Sequence, residues 1–119
     1  MTYVMILPKN EHAQSRMTED CDAAMDLLFL AVKEILQIPD SDIILELTRC
    51  TTVAFNRSAV DAAVAPDVVL TFATSDRDLQ PRFETLCDRV LSDWNDRFGD
   101  LKLEVWVSLI DAWAANTEA

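Results

Sequence analysis

Glycine, histidine and closely spaced cysteines are scarce in this 119-residue sequence, and their scarcity excludes several kinds of site. Gly99 is the only glycine, so the chain has no glycine-rich loop of the kind that cradles phosphates or dinucleotides. His12 is the only histidine, and the three cysteines, Cys21, Cys50 and Cys87, lie far apart in the sequence. Zinc sites need closely spaced ligands, and an odd cysteine count argues against a disulfide framework. We therefore expect neither a metal site nor a bound cofactor.

Long apolar runs and basic residues are also few. No apolar run approaches the roughly 18 residues of a membrane span, and the sequence does not open on a secretory signal. Ten basic and 21 acidic residues give a net charge of −11, which repels nucleic-acid backbones. We therefore expect a cytoplasmic protein that binds neither membranes nor nucleic acids. Half of the residues are hydrophobic, enough for the core of a single domain over residues 1–119.

The spacing of apolar residues divides the chain into strands and helices. Short apolar or alternating runs predict four strands, at Thr2–Leu7, Asp42–Thr48, Asp67–Ala73 and Leu101–Ile110. Three- and four-residue spacing predicts two helices, one over Thr18–Leu36 with Thr18 as its N-cap, and one from Ser75–Asp78 to a stop at Gly99. The remaining segments are predicted to be a loop at Lys9–Arg16, a short strand at Thr51–Phe55 and a loop at Asn56–Pro66.

This order of elements predicts an α/β (α+β) fold made of two consecutive β-α-β units, over residues 1–55 and 66–111. The two strands of each unit should run parallel with a right-handed crossover, giving a four-stranded mixed sheet with two helices on one face. Two helices leave the other face bare, although the strands are hydrophobic enough to be buried on both sides. The simplest way to bury this face is a contact between subunits of an oligomer, and we expect Trp106 and Ile110 to lie in or near that contact.

Several short segments, in this order and spacing, resemble the tautomerase superfamily, which includes macrophage migration inhibitory factor and malonate semialdehyde decarboxylase. The resemblance covers nearly the whole chain and rests on Leu36–Pro39 with Asp42–Ile43, Val53–Phe55, Asp67–Leu70 leading into Ala73–Arg77, Leu86–Leu91, and Val105–Val107 with Ile110–Asp111. It implies a homotrimer whose subunits act on a small carboxylate-bearing enol or keto acid by proton transfer.

The family's usual chemistry uses an N-terminal proline, exposed after removal of methionine, whose amine moves a proton. The matching residue here is Thr2, which follows Met1. Threonine offers a primary α-amine whose pKa is ordinarily about 7.7–8.0, and this amine is free only if Met1 is removed. The resemblance therefore implies Thr2 as a catalytic residue on that condition, and proline-dependent tautomerase activity is not expected.

The resemblance also implies three substrate-binding residues. Arg77 matches the arginine that binds the substrate carboxylate in several members, since a guanidinium beside a helix start forms an anion site. The alternative is a surface ion pair with Asp76, Asp78 or Asp111. Trp106 and Ser108 match pocket positions of the last strand, but Trp106 is equally suited to a subunit interface.

Two other functions remain open. A non-catalytic trimeric relative would keep the fold and bind a small ligand or nothing, and retention of Met1 would favour it. A ferredoxin-like α+β domain with the same element order would instead be an interaction module. A stable monomer would favour that alternative over a tautomerase-like trimer.

Overall fold

The computed structural model describes residues 1–50 and 52–111. Its strands are β1 (Thr2–Pro8), β2 (Ile43–Leu47), β3 (Val68–Thr74) and β4 (Leu103–Leu109). Its α-helices are α1 (Glu11–Glu19), α2 (Cys21–Leu36), α3 (Arg57–Asp61) and α4 (Phe83–Phe98). Short 3₁₀ turns lie at Asp40–Asp42 and Arg77–Arg82. In these residues no helix is both long enough and apolar enough to cross a membrane.

The four strands form one mixed sheet in the order β2-β1-β3-β4. β1 and β2 run parallel, as do β3 and β4, and the two central strands β1 and β3 run antiparallel. Each parallel pair is joined through a helical crossover, which is the connection that parallel neighbours require. The predicted pair of β-α-β units and the mixed sheet are therefore confirmed.

Side chains alternate between a helix-covered face and an open face of the sheet. On β1 and β3 every second residue is buried, and these side chains form one core cluster with the buried residues of α1, α2 and α4. The largest buried side chains come from both layers: Trp94, Phe72, Phe98, Ile6, Met17 and Leu28. The core therefore lies wholly on the helix side.

Helix α1 occupies residues where a loop was predicted, and it adds a third helix to that layer. It begins because the Asn10 side chain accepts a hydrogen bond from the Ala13 backbone N–H at 2.8 Å. Ala13 and Met17, one turn apart, are buried in the core. The predicted N-cap at Thr18 is wrong, since Thr18 lies inside α1 and its hydroxyl donates to the Gln14 carbonyl at 2.8 Å. The predicted long helix therefore begins at Cys21.

The link between β2 and β3 also differs from its prediction. Residues 52–55 contain no strand, and Thr51, the first residue of the predicted strand, lies outside the described residues. Helix α3 forms inside the predicted loop. We call residues 52–65 the arm. It carries large apolar side chains that stay exposed: Val53, Phe55, Val60 and Val64.

Candidate functional site

Three of the four residues predicted for the site lie at one end of the sheet. Because β1 and β3 are antiparallel, Thr2 at the start of β1 pairs with Thr74 at the end of β3. Thr74 pairs in turn with Leu109 at the end of β4. Ser108 precedes Leu109, and Arg77 follows Thr74 by three residues. The fold therefore brings three segments that are distant in sequence to one end of the sheet, which we call the Thr2 end.

The side chain of Thr2 lies on the helix-covered face and is only 3% exposed. Its neighbours across the sheet are Ile43 on β2 and Thr74 on β3. The preceding residue, Met1, is exposed. The threonine hydroxyl is therefore packed away, and any chemistry at this residue falls to its backbone nitrogen.

Thr74 is a buried polar residue that the sequence reasoning did not single out. Its hydroxyl oxygen accepts the Asp76 backbone N–H at 3.2 Å, and its carbonyl accepts the Ile110 N–H at 2.8 Å. The Asp76 carboxylate in turn accepts the Asp78 N–H at 3.0 Å. These bonds fix the turn from β3 into the 3₁₀ helix that carries Arg77. In the sequence, this turn could have been recognised from a hydroxyl residue, Thr74, followed two positions later by a carboxylate, Asp76, at the end of a predicted strand.

Arg77 opens the 3₁₀ helix, with its side chain 70% exposed. Its Nη2 lies 3.3 Å from Oδ1 of Asp111, which follows β4 and is 91% exposed. Of the three surface partners considered from the sequence, Asp111 is the one that the structure pairs with Arg77. A pair this exposed contributes only about 0–1 kcal/mol. Since a guanidinium has five N–H donors, Arg77 retains the capacity to bind a further carboxylate.

Trp106 and Ser108 lie on the open face, opposite to the Thr2 side chain. Ser108 belongs to the row nearest the Thr2 end, next to Ala73 and then Tyr3. Trp106 lies one row further in, next to Thr71, and is 58% exposed. Thr2, Arg77 and Ser108 therefore lie at one end of the sheet, whereas Trp106 lies midway along β4. The Thr2 side chain also faces the opposite side of the sheet from Trp106 and Ser108.

A separate open cleft of about 360 Å³ lies on the arm. Its walls are Phe55, Arg57, Val60 and Asp61, so it includes none of the predicted site residues. The arm joins the end of β2 to the start of β3, which is the edge opposite to the Thr2 end. Among the described residues, no group of three or more His, Cys, Asp or Glu side chains is placed to hold a metal ion.

No family model and no curated protein matches the sequence. Solved structures do match over nearly the whole chain. Leishmania major MIF2 has a TM-score of 0.61 at 8% identity, over 98% of this chain and 94% of that one. A 5-carboxymethyl-2-hydroxymuconate delta-isomerase has a TM-score of 0.57 at 12% identity, over 99% and 89% of the two chains.

A third structure is described as an R7 fused 4-OT wild-type asymmetric trimer. It has a TM-score of 0.58 at 14% identity, over 91% of this chain and 85% of that one. The chain has a tautomerase-type fold. Identities this low show the fold alone, so activity has to be argued from the residues of the site.

Proposed function

We propose that this tautomerase-fold protein binds a small carboxylate-bearing enol or keto acid at the Thr2 end and transfers a proton on it. One observation carries the proposal. The start of β1, which holds the backbone nitrogen of Thr2, and the turn that holds Arg77 meet at the same edge of the sheet. A proton-transfer group and an anion-binding group are the two parts that this chemistry needs.

Arg77 is proposed to hold the substrate carboxylate. Its guanidinium is exposed, and its turn is fixed by the hydrogen bonds of Thr74 and Asp76. A bidentate arginine–carboxylate pair both binds and orients a planar acid. The incoming carboxylate would displace or share the single contact with Asp111, which solvent screening makes weak.

The α-amine of Thr2 is proposed to move the proton once Met1 has been removed. The neutral amine would accept a proton from the enol hydroxyl or from the carbon next to the carbonyl, and the resulting ammonium would return one to the other position. Because the Thr2 side chain is buried between Ile43 and Thr74, the position of this nitrogen is set by the sheet. The substitution of a primary amine for a proline is compatible with this role, since N-terminal threonine amines serve as bases elsewhere.

We also propose that the protein works as a homotrimer. The open face exposes Tyr3 and Trp106, and one of the similar structures is described as a trimer. Aromatic side chains are enriched at subunit interfaces. In such an assembly Trp106 and Ser108 would face a neighbouring subunit and wall the substrate site from that side. Three free cysteines, one of them exposed, suit a reducing compartment such as the cytoplasm.

The test is an enol–keto assay on protein that begins at Thr2, with the enol form of an aryl 2-oxo acid as the probe. Arg77→Ala should raise KM by about 10- to 100-fold, because a charge-assisted pair is lost. Arg97→Ala is the matched control, since Arg97 is exposed near the far end of α4. An N-terminal extension that acylates the Thr2 nitrogen should lower kcat by about 100-fold or more. Turnover indifferent to both changes would refute the proposed site.

A non-catalytic ligand-binding protein is the second candidate. It is favoured by the contact that already occupies Arg77 and by Met1, which acylates the Thr2 nitrogen for as long as it stays attached. The two candidates differ in one observable, the first residue of the mature chain. Protein from its native host that retains Met1, yet binds a 2-oxo acid in an Arg77-dependent manner, would support this second function.

A further inference from the structure

The contact between Arg77 and Asp111 is positioned by one buried residue, Thr74, which is 3% exposed. The Thr74 carbonyl accepts the backbone N–H of Ile110, the residue before Asp111, at 2.8 Å. The Thr74 hydroxyl oxygen accepts the backbone N–H of Asp76, the residue before Arg77, at 3.2 Å. Both members of the ion pair therefore follow backbone groups that the same residue holds in place.

This ion pair stabilises the fold little, because both side chains are largely exposed to solvent. Its effect falls instead on what the Arg77 guanidinium can bind. The Asp111 carboxylate is the same chemical group that the proposed substrate would present to Arg77. Asp111 is therefore an internal competitor for the substrate carboxylate, placed 3.3 Å from the guanidinium.

The charge around Arg77 is negative. Asp76 and Asp78 flank it in the chain, Asp111 contacts it, and all three acidic residues are exposed. One guanidinium and three carboxylates give this cluster a formal net charge of −2. A small acid bound to Arg77 would hold any second carboxylate within the Debye length of about 8–10 Å, where repulsion by the aspartates is little screened.

Two other basic residues near the Thr2 end already have partners. The Lys33 ammonium pairs with Asp40, close to the start of β2. Nη1 of Arg82 donates to the Leu36 carbonyl at 2.8 Å, at the end of α2. The row of the open face at this end consists of uncharged residues, which are Ile44, Tyr3, Ala73 and Ser108. These described residues therefore attract a second carboxylate weakly and accept an uncharged substituent.

We infer that Asp111 is a specificity-determining residue, which restricts the Arg77 site to acids with a single carboxylate and an uncharged remainder. The inference rests on the proposed function and narrows its substrate class. A monoacid needs to displace or share only the contact of Asp111 with Arg77. A diacid meets the same competition and also brings its second carboxylate against Asp76, Asp78 and Asp111.

Calorimetric titration of the untagged full chain with two matched acids tests this inference. 2-Oxopentanoate and 2-oxopentanedioate share the carbon chain and the 2-oxo group, and only the second has a carboxylate at the far end. The wild-type chain should bind 2-oxopentanoate more tightly by about tenfold or more, because the second carboxylate is repelled. Raising the salt from about 0.02 M to about 0.5 M should lower this ratio to about threefold or less, because exposed charges are then screened.

Asp111→Asn removes the charge and keeps the shape of the side chain. It should tighten the binding of 2-oxopentanoate by up to about fivefold, because the competing ion pair is lost, and lower the ratio between the acids to about threefold. Asp111→Glu should keep the wild-type ratio. Asp61→Asn removes an exposed carboxylate of the arm, at the opposite edge, and should change neither affinity. Circular dichroism should show the same fold in every variant.

The outcomes separate this inference from the proposed function. Arg77-dependent binding of both acids with equal affinity would overturn the inference and leave the proposed function standing. A ratio that Asp111→Asn does not change would do the same. Binding of neither acid, or binding that Arg77→Ala leaves unaltered, would overturn the proposed site and this inference with it.

Discussion

Trp94 and Trp106 show how differently the two faces of one sheet are used. Trp94 is 1% exposed, its ring centroid lies 4.8 Å from that of Phe98, and its indole N–H donates to the Leu101 carbonyl at 3.3 Å. Trp106 is 58% exposed and projects from the opposite face. Trp94 is buried and hydrogen-bonded within the subunit, whereas the Trp106 side chain stays largely exposed to solvent. One face of the sheet therefore stabilises the fold, and the other stays exposed in the subunit.

This division also bears on the candidate site. Thr2 places its side chain in the covered layer, while Ser108 faces the open side of the same edge. A ligand at this edge would touch a rigid, buried framework on one side and a partner-dependent surface on the other. Rigid support on the covered side suits the positioning of a reactive nitrogen.

The largest expected effect is on the covered face. Trp94→Ala should lower the free energy of unfolding by about 3–5 kcal/mol, because it leaves a large cavity and an unpaired Leu101 carbonyl. Urea unfolding followed by circular dichroism measures the change. A loss below about 1 kcal/mol would show that the helix layer does not pack as described.

Trp106→Ala should have the opposite effect: it should weaken association and leave the stability of the subunit almost unchanged. On dilute, dissociated protein the free energy of unfolding should change by less than about 0.5 kcal/mol, since the side chain is exposed. The association constant should fall by about 30-fold, because aromatic anchors dominate interfaces. Analytical ultracentrifugation over a dilution series gives this constant. Unchanged association would remove Trp106 from the interface.

Asn10→Ala tests how α1 begins, and α1 is the helix on the covered face that the sequence did not predict. It removes the cap of α1 and the 2.9 Å hydrogen bond from the Asn10 amide to Asp67, and should cost about 1 kcal/mol. Asn56→Ala is the matched control, since Asn56 is the N-cap of α3 but makes no capping bond with its side chain. Equal effects of the two substitutions in urea unfolding would contradict this assignment of the cap.

The smallest effect is a difference in thiol reactivity. Cys87 is half-buried on α4, and burial, helped by the charges of Asp88 and Glu84, raises its pKa. Less thiolate is therefore present at neutral pH, and Cys87 should alkylate about tenfold more slowly than the exposed Cys50. Peptide mass mapping after timed iodoacetamide treatment gives both rates. The difference should vanish in denaturant, and its persistence there would rule out burial as the cause.

Periodicity in the sequence was sufficient to locate the four strands of the sheet and the two long helices, but it placed both helix starts too early. The structure begins α2 at Cys21, and it begins α4 at Phe83, after the 3₁₀ turn at Arg77–Arg82. The alternation of β4 correctly separated Trp106 from Val105 and Val107, because strand geometry alone decides which residues share a face. Helix α1 was missed because only Ala13 and Met17 form its apolar stripe, and because its cap, Asn10, is held by Asp67 from 57 residues away. A long-range bond of that kind leaves no local pattern.

The candidate site was predictable only in part. Local sequence placed Arg77 at a helix start, but its contact with Asp111 depends on where β4 ends. The pairing of Thr2 with Thr74 likewise depends on the antiparallel register of the two halves. Thr74 was overlooked because a threonine at a strand end is common, and its role is evident only once its bond to Asp76 is seen.

Native mass spectrometry of the untagged protein from its own host tests most directly the claim that a tautomerase-type subunit is completed by its neighbours and works through Thr2. The account predicts a complex of three subunits, each beginning at Thr2. A single subunit at micromolar concentration would contradict the assembly, and a trimer that retains Met1 on every subunit would contradict proton transfer by the Thr2 amine.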